Sequence, residues 1–261
     1  MNINKCKVVS YGHHIDINND YYLQSDGSVS VLEHLDFIKD LGVTFDSKLK
    51  FDHHINEKVN KAYSVLGLKY RNFKYMSSDT FVMLYKTLVR SHLEYANCVW
   101  SPYRQMDIEK LEKVQMRATR MVQKLRKCPY EARLRRLNLP TLKYRRLRGD
   151  MIQVYNIVSG KYNNQPTVQF NLSHVSNTRG NVYKMQLTHL HYNLRKHFFS
   201  NRIVAIWNSL PNMVVSAEST NIFKNRLDKL WAYQDFKFDW NADITGIGSR
   251  SLINLEYYKC V

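Results

Sequence analysis

The sequence predicts an α+β protein that is predominantly α-helical. Three observations lead there. The first fifty residues are rich in Tyr, Val and Ile and are broken by Asn-Asn-Asp at 18–20 and Asp-Gly at 26–27, the pattern of short strands joined by turns. From Phe51 onward, apolar residues recur at three- and four-residue steps, which places them on one face of a helix. The 261 residues are 44% hydrophobic and 13% aromatic, enough to build a packed core, so a wholly disordered chain is excluded.

Segment 1–50 is read as a small sheet with strands at 5–11, 21–23, 29–32 and 37–45. Segment 51–160 is read as helical. Ile55, Val59, Ala62, Tyr63 and Leu66 mark one helix, and Phe81, Leu84, Tyr85, Leu88 and Leu93 mark a second. Asp79, following Ser77 and Ser78, is read as the N-cap of that second helix. Ser101-Pro102 closes it, and a third helix is predicted over 106–127. Pro129 and Pro140 then separate helices at about 130–137 and 141–159. In segment 161–261, a loop at 161–166 leads to a hairpin at about 178–192 and helices at 195–209 and 220–233. Asn208-Ser209-Leu210-Pro211 reads as a helix stop.

Charge narrows the function. Lys and Arg number 39 against 22 Asp and Glu, a formal net charge of +17. A surplus of that size repels itself unless a polyanion relieves it. It is not evenly spread: residues 104–148 hold fifteen basic and four acidic residues, a surplus of eleven. In the third helix Leu111, Val114, Ala118, Met121 and Leu125 share one face. Lys110, Lys113, Arg117, Arg120 and Lys124 run one residue earlier, as a second stripe about 100° around the axis. Arg145, Arg146 and Arg148 continue the excess. Such one-signed clustering suits contact with the phosphate backbone of RNA, DNA or a hybrid, with Tyr144 or Tyr155 available to stack on bases. No zinc-finger, basic-zipper or homeodomain pattern reads sequence.

Other classes are excluded or set aside. No run of about 18 apolar residues could span a membrane. The four cysteines are scattered without a Cys-x-x-Cys pair, which fits an intracellular, reducing compartment and supports neither a disulfide framework nor zinc. Asp36, Asp40 and Asp46 have the spacing of solvated or capping residues. His189 and His191 lack a third ligand, and the pairs His13-His14 and His53-His54 are poorly spaced for chelation. Tyr257 and Tyr258 invite comparison with tyrosine recombinases, but no His has an Arg three residues on. Trp100 and Trp207 read as core anchors. Gly42 either lets backbone approach a partner closely or marks a bulge or packing contact.

Several blocks resemble one family. Asn4-Lys5-Cys6-Lys7-Val8 is similar to the strand after the catalytic loop of jockey-like non-LTR retrotransposon reverse transcriptases. Lys39-Asp40-Leu41-Gly42-Val43-Thr44-Phe45-Asp46, with His54-Ile55, resembles the next block. Leu84-Tyr85-Lys86, Leu93-Glu94-Tyr95 and Val99-Trp100-Ser101-Pro102 resemble thumb helices, and Arg117-Ala118-Thr119-Arg120 the basic helix after them. Arg148-Gly149-Asp150, Thr178-Arg179-Gly180, Phe199-Ser200-Asn201-Arg202, Trp207-Asn208-Ser209-Leu210-Pro211 and Leu227-Asp228 resemble the tail.

The resemblance covers about 4–228 and implies a palm remnant (1–50), a thumb-like domain (51–160) and a C-terminal module (161–261) of an RNA-directed DNA polymerase. It also implies that Gly42 lies in a primer-grip turn. Members of that family polymerise with Mg2+ held by an Asp in a hydrophobic strand and by a Tyr/Phe-x-Asp-Asp turn. Both motifs would precede Lys5, and no Asp-Asp pair occurs here. The expectation is therefore a truncated or fragmentary chain that binds nucleic acid, needs no cofactor and does not polymerise alone. The alternative is a non-enzymatic basic helical protein that docks on a partner or an anionic membrane surface.

Overall fold

The computed structural model describes residues 6–12, 19–25, 28–73, 76–162, 170–172, 181–189 and 192–246. Asp26-Gly27, Thr178-Arg179-Gly180, His13-His14, His191 and Tyr257-Tyr258 lie outside them. Among the described residues the fold is mixed α+β and predominantly helical, with small open sheets.

The strands are β1 (Lys7–Val8), β2 (Tyr22–Ser25), β3 (Ser28–Val31), β4 (Glu33–His34), β5 (Phe37–Asp40) and β6 (Val43–Asp46). They form three two-stranded sheets: β1 with β4 in parallel, β2 with β3 and β5 with β6 antiparallel. The single strand expected over 37–45 is thus a hairpin. Leu41 (φ 44°) and Gly42 (φ 81°) both adopt left-handed backbone, which a two-residue hairpin turn of the primed type requires. Beyond β6, the Asp46 carboxylate accepts from the backbone N–H groups of Lys48, Lys50 and Phe51 at 3.1, 3.0 and 2.6 Å. It holds the turn that leads into the first helix, whose N-cap, Phe51, has no side-chain cap of its own.

That helix, α1 (Asp52–Asn72), buries Ile55, Val59, Ala62 and Leu66 as their spacing dictates. The second departs from its expectation. Residues 78–94 comprise α2 (Ser78–Leu84), a π-helical turn at Tyr85–Val89 and α3 (Arg90–Glu94). Ser77, not Asp79, is the N-cap, its hydroxyl accepting from Thr80 N at 3.1 Å. Phe81, Tyr85, Val89 and Leu93 are each buried to within 1%, four residues apart throughout. Each such step overshoots a 3.6-residue turn by about 40°, and the wider π turn absorbs the drift. Val89 therefore enters the core, whereas Leu88 is exposed.

After α4 (Asn97–Trp100), α5 spans Gln105–Thr119. It ends eight residues before the expected 127. Arg133, on α6 (Tyr130–Leu137), donates to the Met116 carbonyl at 2.8 Å and to Thr119 Oγ1 at 2.9 Å. The Met121 N–H bonds the Ala118 carbonyl at 3.0 Å, so the chain tightens and leaves the helix axis, with a 3-10 turn following at Gln123–Leu125.

The next helix, α7 (Leu142–Val158), is capped by Thr141, which accepts from Tyr144 N at 3.1 Å. It links two buried clusters. One gathers side chains from Val43 to Leu142, around Trp100 and Leu111. The other gathers Tyr144 to Phe236, around Trp207 and Phe223. Trp100 and Trp207 are indeed core anchors, 1% and 0% exposed. Where the clusters adjoin, Glu112 accepts from Tyr130 Oη at 2.6 Å and from the Leu142 N–H at 3.1 Å, satisfying a first-turn donor of α7.

The helix expected over 195–209 is three short pieces, α8 (Asn193–His197), α9 (Phe199–Arg202) and α10 (Val204–Asn208). Phe198 is extended (φ −62°, ψ 148°), and side chains take the carbonyls that a continuous helix would use: Asn201 Nδ2 bonds Arg195 O at 2.8 Å and Arg202 Nη1 bonds His197 O at 3.3 Å. The helix stop at Asn208–Pro211 is present, followed by α11 (Asn212–Val215) and α12 (Thr220–Leu230). Among the described residues of 178–192 there is no hairpin, only an isolated bridge from Met185 to Leu172. Asn208 side-chain bonds to the Met185 backbone hold that stretch instead.

Candidate nucleic-acid interface

The basic residues of 104–148 divide into tethers and surface. Arg146 is 4% exposed and buried among Glu112, Asp150 and Glu94. No face of it is left for an external phosphate. Arg145 grips both oxygens of Glu94, one of them at 2.8 Å. Arg148 does the same to Asp228 at 2.6 and 2.7 Å, a bidentate geometry with little left to offer. Tyr144 and Tyr155, each 3% exposed, present no ring to a base; their hydroxyls bond Asp228 and the Ala217 carbonyl.

The predicted stripe stays on the surface but bends. Lys110, Lys113 and Arg117 lie on α5, Arg120 caps it and Lys124 sits on the 3-10 turn beyond. Lys110 pairs with Asp107 at 3.1 Å and Lys113 with Glu109 at 2.9 Å. Arg117 lies over the Tyr63 ring, 5.5 Å from its centroid. Arg117, Arg120 and Lys124 form no ion pair among the described residues.

These three line a groove of about 1160 Å³ between the end of α1, the start of α2 and segment 117–126. Sequence reasoning missed its opposite wall: Tyr70, Arg71 and Phe73, where α1 runs out, together with Arg126 on the near side. The signal was present as Tyr70-Arg71-Asn72-Phe73, aromatic rings interleaved with a cation. Among the described residues no Asp or Glu lines the groove. Its floor includes Phe81, and the Lys69 ammonium lies 5.2 Å from that ring's centroid. Lys69 is 3% exposed, its Nζ has no hydrogen-bond partner, and burial lowers its pKa to about 8.

Gly42 does not line this groove. Its α-carbon faces the Tyr95 ring, and a Cβ there would lie 3.3 Å from Cε1. Nearby, His54 is fully buried and accepts from Thr44 N at 3.1 Å. Burial, aided by Lys58, lowers its pKa to about 4. Among the described residues no group of three or more His, Cys, Asp or Glu is placed to hold a metal ion, and no helix is long and apolar enough to cross a membrane.

Fold and site together define a basic, mostly helical α+β protein with a cationic groove. No family model matches the chain, and no solved structure matches it. It is similar to an uncharacterised protein of Caenorhabditis elegans, at 27% identity over 128 residues. That alignment takes in 48% of this chain and 65% of the relative's length.

Proposed function

We propose that this chain is the nucleic-acid-binding C-terminal part of a reverse-transcriptase-like protein of a mobile element, without polymerase activity by itself. The observation that carries the binding is the groove wall of Arg117, Arg120, Lys124 and Arg126, with no carboxylate lining it among the described residues. Unpaired cations facing one space attract a phosphate backbone and release its counterions. The link to reverse transcriptases rests on the ordered residue blocks between Asn4 and Asp228. Several of those blocks meet in the fold, since Arg148 holds Asp228 and Arg202 holds Asp150.

The test is a gel shift with duplex DNA and RNA–DNA hybrid over a salt series. Affinity falls with log salt at about 0.9 per phosphate neutralised on a DNA duplex. Joint reversal of Arg117, Arg120 and Lys124 to Glu weakens binding to all sequences alike. Absence of binding at low salt overturns the proposal. Primer extension with Mg2+ yields no product, and a product would refute the inactive half.

A second reading has its own observation. Tyr70 and Phe73 are exposed beside these cations, as on a surface that docks on anionic lipid. Flotation with anionic vesicles, against the gel shift at matched salt, separates the two.

A further inference from the structure

We infer that the groove receives a single strand rather than a duplex, with bases against Tyr70 and Phe73 and phosphates along Arg117, Arg120 and Lys124. This rests on the nucleic-acid reading above and names the class of ligand. Tyr70 is 70% exposed and Phe73 45%, and both line the same concave space as the cations. Other aromatic rings are exposed too, Tyr22 and Tyr192 among them; what marks Tyr70 and Phe73 is that they share one groove with Arg117, Arg120 and Lys124, and apolar surface grouped in a groove marks a contact site.

A duplex shows a protein its phosphates and base edges and keeps its base faces stacked inside. A single strand has both faces free, and aromatic side chains beside a basic track bind it without regard to sequence. Two further contacts favour an anionic strand. Arg117 is braced over the Tyr63 ring, so its guanidinium is held at the groove. Beneath Phe81, Lys69 places a buried positive charge that no carboxylate pairs among the described residues.

The experiment uses the full chain, a labelled mixed-sequence single-stranded oligonucleotide and the duplex of the same sequence, at matched salt. Tyr70→Ala with Phe73→Ala is compared with Tyr70→Phe and with Arg117→Glu/Arg120→Glu. Tyr70 and Phe73 are exposed, and circular dichroism confirms that each variant folds. The aromatic pair should weaken single-strand binding by about 5- to 150-fold per stacked base and leave duplex binding within about twofold. Tyr70→Phe should retain single-strand affinity, because the ring face remains.

Equal effects of the aromatic pair on both ligands, or none on either, overturn the single-strand assignment and leave the broader reading standing. If Arg117→Glu/Arg120→Glu changes neither, the broader reading fails. Flotation with anionic vesicles, with no oligonucleotide bound, overturns both.

Discussion

The Tyr95 hydroxyl donates to the Leu41 carbonyl at 2.9 Å, and the edge of the same ring occupies the approach to Gly42. One side chain from the end of α3 thus pins the β5–β6 turn to the helical body. Gly42 is needed on two counts: its φ of 81° is left-handed, and a Cβ would stand only 3.3 Å from Tyr95 Cε1.

Gly42→Ala should therefore cost about 1–2 kcal/mol of stability from backbone strain, plus the shift imposed on the Tyr95 ring. Urea denaturation measures it. In a Tyr95→Ala background the same substitution should cost less, because the ring is gone. An unchanged midpoint for Gly42→Ala would refute the turn geometry.

His54 makes stability pH-dependent. Its folded pKa of about 4 lies below the ordinary 6.5, chiefly through burial and then Lys58, with Glu57 opposing. The unfolded chain therefore takes up a proton first as pH falls. The contribution is full above 6.5 and is lost between about 6.5 and 4, up to about 3 kcal/mol. His197 is also held low by burial and adds slope of the same sign. The measurement is thus the unfolding free energy of the parent against His54→Phe from pH 7.5 to 4. The parent should show the steeper loss.

Lys69→Met should stabilise the protein. A buried ammonium without a hydrogen-bond partner, with a pKa lowered to about 8, disfavours the folded state by about 3 kcal/mol at neutral pH. Between pH 8 and 10.5 the folded chain binds fewer protons than the unfolded one, so parent stability rises there. The gap between variant and parent should close over that window. A gap that is constant with pH would show that the lysine is not buried as a cation.

Arg202 holds Asp150 through two bonds of 3.0 and 3.1 Å and bonds the Cys98 carbonyl at 2.9 Å. Asp150 is 1% exposed. Arg202→Met should cost about 3–5 kcal/mol, because it strands a buried charge. Adding Asp150→Leu should recover part of that loss. Chemical denaturation of the single and double variants reads the coupling.

Much of the helical layer was legible. α1, α6, α7 and α12 follow from periodicity and start signals that act within a few residues. The π turn was also legible in principle, through four-residue spacing from Phe81 to Leu93. The end of α5 was not, since Arg133 is what takes the Met116 carbonyl. The break at Phe198 involves Arg202, whose other partners are Asp150 and the Cys98 carbonyl. Half of the candidate groove was legible as the stripe ending at Lys124; Tyr70-Arg71-Asn72-Phe73 recorded the other wall's rings and cation, but not that the two walls face each other, which is a property of packing.

What the sequence by itself determined is the basic surplus and the apolar faces of the helices. These are local, set by composition and by a 3.6-residue period. Only the tertiary structure decided which cations are free. Arg145, Arg146 and Arg148 look like Arg117, Arg120 and Lys124 in the sequence. Burial takes Arg146 out of reach, and the distant carboxylates Glu94 and Asp228 pair Arg145 and Arg148. The Tyr95 contact that pins Gly42 belongs to the same category: its partners are far apart in the chain, and no local pattern records that they meet.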